Sequence, residues 1–256
     1  MPLTIKSLTD RLISDGQEWI LNNILLFHTS GSQMYGTSLP TSDHDYVLIY
    51  YSPRSKWITG EIPDCWQKRF EQFNSEVNFY DVRKWVKLIY GCNPNVIETL
   101  FVPDNCIVFQ NVLWNLLRER GLKLLSRKVY FSFDGFSHSQ MNKLLIKQSN
   151  KTGRRYITEE KGFDTKFAMH AFRIAAQGLE LLKTGKITFP RPDIQNLLNI
   201  RNGITYDKND TQKCVDDIGK GLERLKEVLD TSVLPDRVDD KEATDLLVKV
   251  FDMIWK

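Results

Sequence analysis

The sequence predicts an α/β chain of the α+β kind. A small mixed β-sheet domain spans residues 1–125 and a helical domain spans residues 126–256. Two observations carry the prediction. Short apolar or alternating runs bounded by turns fill the first half, and the apolar period becomes helical near residue 125. With 41% hydrophobic and 26% charged residues the chain folds rather than stays disordered. A net charge of +3 does not by itself imply nucleic-acid binding. No apolar run approaches the length of a membrane span, and the mixed N-terminus does not resemble a signal peptide, so a cytoplasmic protein without a membrane partner is expected. Cys65, Cys92, Cys106 and Cys214 show neither a CxxC pair nor zinc-finger spacing, and read as reduced thiols.

In chain order, "TDRLISDGQEWILNN" (9–23) has helical apolar spacing at Leu12, Ile13, Trp19, Ile20 and Leu21. "NILLFH" (23–28) and "YVLIYY" (46–51) suit buried strands. "EVNFY" (76–80) alternates, with Val77 and Phe79 on one face and Glu76, Asn78 and Tyr80 on the other. From Asp81 to Leu100 the period is helical, and Pro94 opens a second short helix. In the second half, "SHSQMNKLLIKQSN" starts on cap-like residues. "FDTKFAMHAFRIAAQGLELLKTG" ends on glycine. "QKCVDDIGKGLERLKEVLD" and "DKEATDLLVKVFDMIWK" are amphipathic.

The segment "GSQMYGTSLPTSDHDYVLIYY" (31–51) carries the chemistry. In extended chain Asp43 and Asp45 point to one face, roughly 6.5–7 Å apart, so both can reach one divalent cation or bridge two. Hard oxygen ligands with few nearby imidazoles favour Mg²⁺ or Mn²⁺ over zinc. If the strands are neighbours, Glu76 joins the pair as a third carboxylate. Asp81 is the alternative acid, but at a strand-to-helix junction a helix N-cap is its simpler reading. Gly31 allows close backbone approach to a ligand and Ser32 adds a hydroxyl, as a phosphate-binding turn requires. Singly these letters fit ordinary surface turns. Together, metal-binding acids opposite a phosphate-binding turn describe a nucleoside triphosphate site.

The arrangement Gly31-Ser32, Gly36, Ser42-Asp43-x-Asp45 resembles the signature of the polymerase-β-like nucleotidyltransferase superfamily. The stretches 79–101, 163–190 and 197–207 are similar to a branch of bacterial and phage nucleotidyltransferases associated with RNA repair. The resemblance implies a two-metal transfer of a nucleoside monophosphate from NTP to a hydroxyl, with release of pyrophosphate. Asp43, Asp45 and Glu76 would hold two Mg²⁺ ions, with Mn²⁺ as the substitute. Gly31 and Ser32 would hold the β- and γ-phosphates. An RNA 3′ end, such as that of tRNA, is the leading acceptor. A protein side chain, a small molecule such as an aminoglycoside, or a non-catalytic binding module are the alternatives.

Lys166, His170, Arg173, Gln177 and Glu180 recur at spacings of 4, 3, 4 and 3 and form one helix face. A solvated stripe explains them, and so does contact of Lys166, His170 and Arg173 with nucleotide phosphates. His170 also reads as a buried, hydrogen-bonded histidine. Lys151, Arg154 and Arg155 beside Tyr156 suit either a solvated loop or contacts to an RNA backbone.

Overall fold

In the computed structural model, which describes residues 3–61, 65–145, 162–207 and 209–255, the strands of the first half join one sheet. They are β1 (Ile24–Ser30), β2 (His44–Tyr50), β3 (Cys65–Phe70), β4 (Ser75–Asp81) and β5 (Ile107–Gln110), in the spatial order β3-β4-β2-β1-β5. β1 pairs antiparallel with β2 and β5, β3 pairs antiparallel with β4, and β2 runs parallel to β4, so the sheet is mixed. The alternation expected of "EVNFY" is present: Val77 and Phe79 are fully buried while Glu76, Asn78 and Tyr80 are half-buried. Phe27, Tyr46, Leu48, Val77 and Phe79 share a core with Leu8 and Leu12 of α1 (Ile5–Ser14). Burial of this face supplies most of the local driving force.

β3 and β5 lie at the sheet edges; β3 mixes polar with apolar residues, and β5 is an apolar run of only three residues closed by Gln110. β3 alternates exposed and half-buried positions until Phe70. It is pinned on the core face by Trp66, which stacks on its register partner Phe79 with centroids 3.7 Å apart, and by Lys68, 2.8 Å from Asp15. Pinning Trp66 and Lys68 there turns Gln67 and Arg69 to the opposite face. The helix expected over 9–23 is two elements. α1 ends at Ser14, Gly16 takes φ +67°, and a 3₁₀ turn runs from Glu18 to Asn23. A left-handed residue cannot continue a right-handed helix, and glycine adopts it at least cost.

Gly31–Tyr35 forms α2, one turn directly after β1, and Arg54–Thr59 forms α3. α4 (Val82–Tyr90) buries Val82, Trp85, Val86 and Ile89, as the period predicts. A short helix, α5 (Pro94–Ile97), begins at Pro94, and α6 (Val112–Lys123) follows β5. Further on come α7 (Lys128–Leu145), α8 (Thr165–Thr184), α9 (Ile194–Arg201), α10 (Thr211–Glu227) and α11 (Asp240–Ile254).

The chain divides into two compact units. The first comprises Met1–Gly91, Val96–Leu124 and Val238–Lys256; the second comprises Cys92–Asn95 and Leu125–Arg237. A cut between residues 125 and 126 leaves α11 with the helical part, whereas its contacts place it with the sheet. Phe251 and Trp255 stack at 4.2 Å and lie beside Trp57 of α3, and the Trp255 indole N–H donates to the Ser52 carbonyl at 3.2 Å. Tyr90 of α4 hydrogen-bonds Asp240. In the second unit α8 is the central helix, packed on α7, α9 and α10. Gly178 sits where a Cβ would come within 3.0 Å of Phe133 and Leu225, so it permits close approach of the helices. α7 starts nine residues before the caps read at Ser137. That serine is buried, and its hydroxyl donates to the Ala171 carbonyl at 3.3 Å rather than capping a helix.

Candidate active site

The ends of β1, β2 and β4 bring the acidic residues and the Gly-Ser turn together. Ser30 is the register partner of Asp45, and Asp45 is the register partner of Glu76. Register partners share a face, so Asp45 and Glu76 stand side by side on the face opposite the core shared with α1. Gly31 begins α2 immediately beyond Ser30, with φ +60°. A Cβ built on Gly31 would lie 2.1 Å from Asp45 Oδ2 and 2.9 Å from its Cβ. The space where any other residue would carry a side chain is occupied by the Asp45 carboxylate. The glycine is therefore required twice, by its backbone angle and by its neighbour.

Asp43 lies just before β2, with Oδ2 3.6 Å from Arg69 Nη1. Glu76 Oε1 accepts from Gln67 Nε2 at 2.5 Å. Both partners come from β3, whose role near the carboxylates was missed in the sequence. The signal available was faint: Trp66 and Phe70 stand two positions either side of Lys68, and Gln67 and Arg69 fall between them. With Asp43 drawn to Arg69 and Glu76 to Gln67, no three His, Cys, Asp or Glu side chains converge on a metal-holding point among the described residues.

Three buried polar groups lie in or beside the sheet, of which Asp81, the register partner of Tyr50, stands at the end of β4 remote from Asp45 and Glu76. Asp81, fully buried, is the N-cap of α4: it accepts from Arg83 N at 3.0 Å, Arg83 Nε at 2.7 Å and the Ser52 hydroxyl. Its oxygens thus serve the helix start and a guanidinium. Glu98, 2% exposed, accepts from the Tyr35 hydroxyl at 2.7 Å and so fastens the end of α2. His28 on β1 is fully buried, and burial pushes its pKa down to about 4. Its Nδ1 lies 2.8 Å from the Thr29 carbonyl, which can only accept, so Nδ1 carries the proton. Nε2 is then a bare acceptor with no hydrogen-bond donor among the described residues.

In the helical unit, Lys166 and His170 are half-buried on α8. Arg173 is 3% exposed, and its Nη1 donates to the buried Gln177 Oε1 at 2.9 Å. Glu180 is engaged by Arg191 and by Thr188 N at 3.0 Å. The stripe is therefore not a uniformly solvated face, because its middle is interior. Lys151, Arg154 and Arg155 lie outside the described residues.

A sequence model of the RNA repair pathway DNA polymerase beta family matches residues 13–249. The chain belongs to that family. The match to this RNA repair pathway polymerase-beta family, one of nucleotidyltransferases, encloses the Gly-Ser turn, the acidic residues and α8 alike. A curated relative, an uncharacterized 38.9 kDa protein in the nrdC-mobD intergenic region of Enterobacteria phage T4, is 22% identical over 136 residues. That alignment covers 50% of this chain and 40% of the phage protein, so it spans less than half of the relative. Among solved structures, a nucleotidyltransferase-like protein from Exiguobacterium sibiricum is 10% identical, over 96% of this chain and 80% of its own, with a TM-score of 0.31. The spectinomycin adenyltransferase of Enterococcus faecialis, solved with ATP and spectinomycin, is 14% identical, over 88% of this chain and 100% of its own, with a TM-score of 0.42. At those scores neither likeness bears on the site.

Proposed function

We propose that the protein is a Mg²⁺-dependent nucleotidyltransferase that moves a nucleoside monophosphate from NTP to a hydroxyl, with an RNA 3′ end as acceptor and pyrophosphate as product. The observation that carries the reading is the Asp45 carboxylate lodged where a Gly31 side chain would stand, with Glu76 beside it in register. The pocket left by the missing side chain sets a carboxylate against the turn proposed to take phosphates. Family membership supplies the reaction class, and the RNA acceptor follows the RNA repair pathway in the family's description.

The donors, being carboxylates, fit a hard divalent cation. Asp45 and Glu76, charged and side by side, repel one another unless a cation lies between them. Asp43, Asp45 and Glu76 would hold the metal, once Asp43 turns from Arg69. The bound cation supplies charge neutralisation at the transferring phosphoryl group and a lowered pKa for the attacking hydroxyl. Gly31 presents backbone N–H close to the β- and γ-phosphates, and Ser32 adds a hydroxyl donor. Glu76, held at one oxygen by Gln67, keeps the other free to accept the acceptor's proton. Lys166, His170 and Arg173 are proposed as phosphate contacts, and Lys151, Arg154 and Arg155 as RNA contacts.

The test is transfer of label from each of the four α-labelled NTPs, with Mg²⁺, to a pooled small-RNA fraction. The Asp43→Asn/Asp45→Asn protein serves as control, and Lys166→Ala tests the phosphate contact. The reading expects label at RNA 3′ ends with the wild type and none with the double variant, and a raised KM for NTP in Lys166→Ala. Full transfer by the double variant sinks the mechanism. Label on protein or small molecules, but not on RNA, replaces the acceptor.

A further inference from the structure

Arg69 holds an unusual place among the carboxylates. It is the register partner of Glu76 and lies on the acidic face of the sheet. Its guanidinium has three anchors: Nη1 is 3.6 Å from Asp43 Oδ2, Nη2 donates to Asn74 Oδ1 at 2.9 Å, and Nε is 3.4 Å from Glu71. Of the three, Asp43 alone belongs to the acidic set. Asn74 and Glu71 sit in the turn between β3 and β4 and hold the fork from behind. A guanidinium does not give up its proton at any working pH, so this is a permanent positive charge at the mouth of the carboxylate group. Gln67, two residues earlier on the same strand and the same face, is a neutral donor to one oxygen of Glu76.

We propose that Arg69 is the internal counter-ion of the carboxylate site: it holds Asp43 while no divalent cation is bound, yields it when the cation enters, and thereby sets the cation affinity. The inference rests on the reading of Asp43, Asp45 and Glu76 as metal carboxylates. Two positive charges compete for the same Asp43 oxygen. The guanidinium offers one charge, half-exposed and partly screened. The divalent cation offers two charges and can engage Asp45 and Glu76 as well, so it displaces the guanidinium at sufficient concentration. After displacement Arg69 keeps Glu71 and Asn74, so release of Asp43 leaves no group stranded. Gln67 works in the other direction. It orients Glu76 without competing for charge, so its loss does not strengthen cation binding.

The experiment is Mn²⁺ binding to the full chain at low ionic strength, without nucleotide, followed by electron paramagnetic resonance of the free ion. Arg69→Gln and Arg69→Met are expected to bind Mn²⁺ roughly three-fold or more tightly than wild type, as removal of a half-exposed competing charge allows. Arg69→Lys, which keeps the charge, should stay near wild type, and the gain should shrink as salt is raised. Asp45→Asn should lose binding. If Asp45→Asn loses binding but both neutral Arg69 variants bind no more tightly than wild type, the counter-ion role is overturned and the metal site stands. Equal tightening in Gln67→Ala would trace the effect to a loosened strand and also overturn it. If wild type and Asp45→Asn bind alike, or neither binds, both readings fall.

Discussion

Gly31 makes the sharpest demand of any single residue. Alanine there must adopt φ near +60° and place its methyl on the Asp45 carboxylate, so Asp45 moves. Displacing a catalytic group by about 1 Å commonly costs on the order of 100-fold in rate. The backbone angle costs only about 1–2 kcal/mol of stability. Gly31→Ala should therefore lose transfer rate by roughly 100-fold while staying folded, and kcat measured beside a melting curve checks it. His28 makes a different demand. Unfolded, it titrates near the ordinary 6.5; in the fold burial holds it to about 4. Between those values the unfolded chain takes up the proton and the native one does not, so stability is full above about pH 6.5 and falls as pH drops towards 4. The loss approaches about 3 kcal/mol. Melting temperature against pH should fall less steeply in His28→Gln, and parallel curves would refute the assignment. Asp43, Asp45 and Gly31 were legible because their spacing is local. Gln67 and Arg69 were not, because their meaning depends on a strand partner that spacing along the chain does not reveal.

Elements explain why Asp45 and Asp81, at opposite ends of the paired strands β2 and β4, have different roles. Asp45 lies within a strand and faces the turn, whereas Asp81 ends a strand and starts α4. Removing the Asp81 carboxylate strips the helix cap and leaves the Arg83 guanidinium and the Ser52 hydroxyl short of their acceptor. Asp81→Ala should cost about 2 kcal/mol in denaturant unfolding, for the lost helix cap and the buried hydrogen bond from Ser52. Asp45→Asn should cost far less stability and all of the activity. If Asp81→Ala unfolds at the wild-type denaturant midpoint, the cap does not hold α4. The strands β1, β2 and β4 were legible because buried strands carry their own apolar signature. Of the edge strands, β3 is hidden by its mixed residues and β5 by its length of four. Apolar spacing carries the expected helix past the end of α1 because it continues through Gly16, where the backbone angle makes the break. Cap-like residues place the expected start of α7 too late because Ser137, a good cap, is equally good as a buried donor to a neighbouring helix.

On the scale of the molecule, the change of period near residue 125 shows where sheet gives way to helix, but it cannot show where the last helix goes. α11 is amphipathic like α10, and its contacts with Trp57, Ser52 and Tyr90 reveal its host. Removing residues 238–256 should take Phe251 and Trp255 away from Trp57, delete the buried Leu246 and Val250, and unsettle the sheet unit. A fall in melting temperature of several degrees is expected, with about 2 kcal/mol lost per large apolar side chain uncovered. An unchanged melting curve would show that α11 is dispensable. The same return of the chain bears on how the protein is made. Emerging from the ribosome in order, the strands precede their closing helix by the whole of the intervening bundle. The sheet unit is complete only when residues near 254 have left the exit tunnel, so a nascent chain must keep its half-built first unit out of trouble while more than a hundred residues are added.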